Sequence, residues 1–218
     1  MKLLTQNAKM KKSSQVVYNF GIPAYKSDRH DIITCPNALN CINGCYAKQG
    51  TYLWSPVKNA YENRLEVALS DNFVSLMSDE INKLLKKHKN NQLFIRINDS
   101  GDFFSNDYLV KWISIMTIFP QVKFYAYTKQ VELFKNHKPL IPENFTVIFS
   151  LGGKQDKMIY REDDRHAKVF DSLEELLSNG YIDASNDDMI ALNDTNHKIG
   201  LVYHGQKNIN KTNWKKVG

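Results

Sequence analysis

Five short apolar runs, separated by helical patterns, set the tightest constraint on how this chain folds. QVVYNF (15–20) opens the series, and QLFIRI (92–97) runs into NDSGDFFS. VKFYAY (122–127) runs into TK, FTVIFS (145–150) into LGGK, and KIGLVYHG (198–205) closes it. Near-continuous apolar strands are those covered on both faces. The segments between them read as helices. SPVKNAYENRLEVALS (55–70) has Ser55 as N-cap and Pro56 at the first helical position. DNFVSLMSDEINKLLKKHK (71–89) aligns Phe73, Leu76, Met77, Ile81, Leu84 and Leu85 on one face. A helix over 106–119 stops at Pro120, QVELFKNH is a short helix, and a capped helix over 172–180 closes at Gly180. Strands alternating with helices predict an α/β fold of mostly parallel strands joined by crossovers. Such sheets carry their chemistry at the C-terminal strand ends, where this chain gathers its glycines and polar residues. Tyr125 and Tyr127, which alternate on one strand, read as core.

The 218 residues suit one domain, and a hydrophobic fraction of 42% supplies a core. The division expected is a basic segment over 1–14, a domain over 15–205 and a basic tail over 206–218. No apolar run is long enough to span a bilayer. The start, MKLLTQNAKMKKSSQ, lacks the apolar stretch and cleavage site of a signal peptide. A cytoplasmic protein without a membrane partner is expected. A net charge of +6 permits a nucleic-acid partner, although solubilising charge on exposed helix faces and a frayed tail is the favoured explanation.

All three cysteines, Cys35, Cys41 and Cys45, stand in TCPNALNCINGCYAKQG (34–50). An odd number in a chain read as intracellular argues against disulfides. The loop has no apolar periodicity that would bury structural thiols. Metal binding remains. A structural zinc site wants four ligands in closely spaced pairs. The spacing here is C-x5-C and C-x3-C, with His30 or a distant residue as the fourth ligand. Three thiolates without an obvious fourth suit a [4Fe–4S] cluster with one iron open to a small molecule.

GIPAYKSDRHDIITCPNALNCINGCYAKQGTY, then NAYENRLEVAL, RINDSGDFFSNDYLVKW and FYAYTK, resemble the phage gene product 88 family over roughly residues 15–155. That family is similar in turn to the radical S-adenosylmethionine enzymes. The resemblance implies a single-domain partial (β/α) barrel with a three-cysteine loop after the first strand. Their common spacing is C-x3-C-x2-C, and this loop departs from it. The resemblance also implies reductive cleavage of S-adenosylmethionine, with a 5′-deoxyadenosyl radical acting on a substrate. The basic balance adds that this substrate is a nucleotide, a nucleic acid or a phosphorylated metabolite. An electron donor such as a flavodoxin or ferredoxin is implied.

On that resemblance Cys35, Cys41 and Cys45 ligate iron, and Tyr46 packs near the adenine or the cluster. Ser100 and Gly101 shape the segment after the second strand, where Asp99 or Asp102 accepts from the methionine ammonium. Tyr127, Thr128 and Lys129 end the next strand, with Lys129 pairing the carboxylate. Ser150, Gly152 and Gly153 line the ribose or adenine, and His204 faces the substrate. The segment 161–189 reads as a charged local elaboration, and the absence of cysteine after Cys45 argues against a second cluster. The rival reading is a non-catalytic module in which zinc or an iron–sulfur cluster staples the loop and a basic surface binds nucleic acid. What discriminates is whether DSGD, YTK and GG converge on the cysteine loop.

Overall fold

A computed structural model of the chain describes residues 2–42 and 44–203. His204, Gly205 and the tail 206–218 lie outside the described residues. In chain order the elements are α1 (Ala8–Lys11), β1 (Val16–Asn19), α2 (Ser55–Leu69), α3 (Phe73–Lys87), β2 (Leu93–Ile97), α4 (Asn106–Ile118) and β3 (Lys123–Thr128). There follow α5 (Val131–Asn136), β4 (Phe145–Ser150), β5 (His166–Phe170), α6 (Leu173–Ser178), β6 (Ile182–Asp183), α7 (Asp188–Ala191) and β7 (Lys198–Val202).

Among the described residues the strands form one sheet of order β1-β2-β3-β4-β5-β7-β6, parallel throughout. The sheet curls into a half-barrel, the partial barrel expected. Its register sets Asn19 opposite Arg96 and Arg96 opposite Tyr125, so these three form a row across β1, β2 and β3.

Helices α2, α3 and α4 cover the outer face. Phe73, Met77 and Ile81, one helical turn apart on α3, are fully buried. Each side chain of this kind contributes about 1.5–3 kcal/mol on burial. Leu76, expected on the same face, stays exposed because it falls on the flank of that stripe. Trp112 of α4 packs edge-on against Phe20 and Phe73 at centroid distances of 5.4 and 5.3 Å. Helix α2 is capped one residue earlier than expected. The Trp54 carbonyl accepts from the amides of Val57 and Lys58, and no side chain caps the start.

The inner face is lined by Val17, Phe94, Tyr125, Tyr127 and Ile148 and closed by α1 and α7. Leu3 and Leu4 belong to the main core, and their amides donate to the Glu80 carboxylate at 2.8 Å each. Thr5 exchanges two backbone hydrogen bonds with Asn19 and so covers the free edge of β1.

The segment 161–189 is no appendage. It supplies β5, α6 and β6, and β7 then inserts between β5 and β6. His166 is fully buried on β5. Its ring bonds the Asp164 carbonyl and the Tyr181 hydroxyl at 2.9 Å each, and burial lowers its pKa.

Gly101, in the turn after β2, has φ +80°, and a Cβ there would stand 2.3 Å from Cγ1 of Ile22 and 3.2 Å from the Pro23 carbonyl. Gly101→Ala is expected to cost about 2 kcal/mol through left-handed strain and crowding. The urea midpoint checks this, and an unchanged midpoint would mean that the segment after β1 relaxes freely.

Candidate functional site

The cysteine loop arches across the C-terminal ends of β2, β3 and β4. It leaves β1 alongside the segment that leaves β2, with the Ile22 amide on the Ser100 carbonyl at 3.0 Å and the Asp99 amide on the Phe20 carbonyl at 3.0 Å. Thr34 then accepts from the Asp102 amide at 2.9 Å. Over β4, Asn37 accepts from the Lys154 amide at 2.9 Å, Ala38 bridges Gly153, and the Asn40 amide donates to Gly152 at 3.2 Å. Asn37 also reaches Gln130 beyond β3 at 2.7 Å. The loop returns through two tight helical turns, Tyr46–Lys48 and Gly50–Leu53. There the Tyr46 hydroxyl donates to the Asp99 carbonyl. The DSGD, YTK and GG segments thus converge on the cysteine loop.

The three thiols are free and half-buried. Cys35 accepts from the Tyr25 amide at 3.3 Å. Burial first, and the Asp102 carboxylate second, push its thiol up to about 12. Burial also raises Cys45, partly offset by the amide of Ala47. Cys35 feels both other thiols electrostatically. Burial thus favours the neutral thiol at Cys35 and Cys45, and a metal would displace those protons. Among the described residues no three His, Cys, Asp or Glu side chains close around a single ion, and His30 does not join the thiols as a fourth zinc ligand.

Asp102 lies under Cys35, fully enclosed. It accepts from the Thr128 hydroxyl at 2.6 Å, the Phe103 amide at 2.8 Å and the Lys129 amide at 2.9 Å. Burial raises its pKa, and these three donors oppose the rise. It fastens the end of β2 to the end of β3. Lys129 turns its ammonium onto the carbonyls of Ser150 (2.9 Å) and Leu151 (2.8 Å) and the Ser150 hydroxyl (2.8 Å). Gly152 and Gly153 give their amides to the Asp156 carboxylate at 2.8 Å each. These candidate cofactor contacts therefore have partners within the chain. Ser100 is buried beside them.

Asp99 is different. Its Oδ2 accepts from Asn19 and lies 3.4 Å from the Tyr61 hydroxyl, while its buried Oδ1 has no partner among the described residues. Burial raises its pKa to about 6, against the pull of Arg96 and Arg64. Around it Asn19 Oδ1, Arg96 Nε and Tyr127 Oη are also buried without partners. Arg96 stacks on the Tyr127 ring at 4.9 Å and pairs with Asp188 of α7 at 3.0 Å. Burial works against that carboxylate, yet Arg96 and Lys9 hold it at about 2. Tyr46 covers Asp99, with its ring half outside and its hydroxyl on the Asp99 carbonyl. Tyr46, Tyr52 and Tyr61 form a contiguous aromatic wall at centroid distances of 5.8 and 5.6 Å. Asn19, Arg96, Tyr52 and Tyr61 escaped the sequence reading. The signal for Arg96 was its charge within the apolar run LFIRI.

A family model described as Gene product 88 matches residues 1–216. Comparison with curated proteins and with solved structures finds no match. No helix among the described residues is long and apolar enough to cross a membrane.

Proposed function

The chain belongs to the gene product 88 family, and on that footing we propose that it is a phage-type iron–sulfur enzyme of radical S-adenosylmethionine character. Cys35, Cys41 and Cys45 would hold a [4Fe–4S] cluster, and a flavodoxin or ferredoxin would reduce it. When bound, the cluster and S-adenosylmethionine supply one-electron chemistry for activating a substrate C–H bond. The observation that carries the reading is the convergence of three strand-end segments on the thiol loop, which a metal staple alone does not need.

The chain's own residues have separable parts in it. Asp102, Gln130, Gly153 and Lys154 hold the loop in one geometry. Asp99 offers an unused buried oxygen to an ammonium group and exchanges a proton near pH 6. Tyr46 covers Asp99 and would swing away from the Asp99 carbonyl to admit a ligand. Lys129 and the Gly152–Gly153 amides would meet S-adenosylmethionine only by exchanging their present partners.

The test is electron paramagnetic resonance on anaerobically reconstituted, dithionite-reduced protein. A four-iron signal that changes on adding S-adenosylmethionine, and is lost in Cys41→Ser, is the expected result. About one zinc per chain and no cluster would overturn the reading in favour of the metal-stapled binding module.

A further inference from the structure

Residues 32–61 contain no aspartate or glutamate. The same segment exposes an unusual density of large apolar side chains: Leu39 (50%), Tyr46 (53%), Leu53 (54%) and Trp54 (63%). Lys48 and Lys58 are exposed among them. Trp54 caps α2, with its carbonyl on the Lys58 amide, so the two side chains stand one helical turn apart. Acids at the border are engaged elsewhere: Asp31 pairs with Lys26, and Asp156 holds two glycine amides. Singly scattered apolar residues need no explanation, but exposed aromatics beside lysines on a segment without acids do.

We infer that this face docks single-stranded nucleic acid across the cysteine loop. Exposed aromatic rings stack unpaired bases whatever their sequence, and interleaved lysines neutralise the phosphates between them. A duplex offers no base faces to Tyr46 and Trp54. The basic charge and missing carboxylates select a polyanion over a neutral or basic peptide. Docking stands on the surface itself; that the strand is also the substrate rests on the enzyme reading above.

The experiment is fluorescence anisotropy of the full-length protein with a fluorescein-labelled twelve-nucleotide oligothymidylate and its RNA counterpart, before and after cluster reconstitution. Saturable binding that weakens with salt is expected. Trp54→Ala should weaken it about tenfold, and Lys48→Gln with Lys58→Gln should flatten the salt dependence. The exposed pair Lys86→Gln with Lys87→Gln on α3 removes the same charge elsewhere and should leave binding intact. No binding at 50 mM salt, equal binding of a duplex, or equal loss in both lysine pairs overturns the inference. Polyglutamate binding with the same Trp54 sensitivity overturns it too, assigning the face to an acidic protein. Oligonucleotide binding without any cluster sinks the enzyme reading and keeps this one. A cluster that responds to S-adenosylmethionine, without oligonucleotide binding, does the reverse.

Discussion

Asp102→Ala is expected to destabilise the protein by about 4 kcal/mol or more, the largest loss for a single side chain at the site. Three buried donors would lose their acceptor together: the Thr128 hydroxyl and the amides of Phe103 and Lys129. Each buried donor left unpaired costs roughly 1–3 kcal/mol, and donors to a carboxylate sit at the upper end. Part of that is returned, because the carboxylate's own burial is unfavourable, as its raised pKa records. The loss is read from urea denaturation followed by circular dichroism. Asp102→Asn keeps one acceptor and the shape, so it should retain about half of the stability lost in the alanine variant. A second readout separates local from global effects. The Asp102 carboxylate is second only to burial in holding the Cys35 thiol up, so the asparagine variant should alkylate faster at Cys35. A loss below about 1 kcal/mol in Asp102→Ala would show that the ends of β2 and β3 are held without this carboxylate.

The parts of this architecture that local sequence could reveal are those built by burial on both faces. FTVIFS reads to the residue as β4, and β2 and β3 to within one residue, because both sheet faces demand apolar side chains. β5 and β6 stay hidden for a physical reason. HAKVF carries a histidine satisfied by Tyr181 and a lysine, and β6 is two residues long, a strand only because β7 pairs with it. That DSGD, YTK and GG stand at strand ends was legible, and the parallel order of the strands brings them to the thiol loop. The role of Arg96 was not. Its partner Asp188 lies 92 residues further along the chain, and no local pattern joins them. Likewise nothing in YTK foretells that Lys129 caps the carbonyls at the end of β4, which only the β3–β4 register brings within reach.

Asp99→Asn is expected to make the protein more stable at pH 8 and no more stable at pH 4, by a difference of about 3 kcal/mol. The sign follows from the folded pKa of about 6, raised by burial above the ordinary carboxylate value of 3.8. Below pH 4 the group is protonated both folded and unfolded. Between pH 4 and 6 the native state holds a proton that the unfolded chain has released, so stability falls as pH rises. Above pH 6 the full cost is present, about 1.4 kcal/mol for every tenfold difference in proton affinity between the folded and unfolded carboxylate. Asparagine cannot ionise, and it keeps an oxygen for the Asn19 amide. Other titrating groups cancel in the difference between the two proteins, so paired urea titrations at pH 4, 6 and 8 suffice. A difference that is flat with pH, or an asparagine variant weaker at pH 8, would mean that Arg64 and Arg96 stabilise the ionised carboxylate. On the proposed reading, what such a carboxylate supplies is its charge to a bound ammonium group. The same substitution should therefore abolish any ammonium-dependent binding beneath Tyr46 while raising the melting temperature at pH 8.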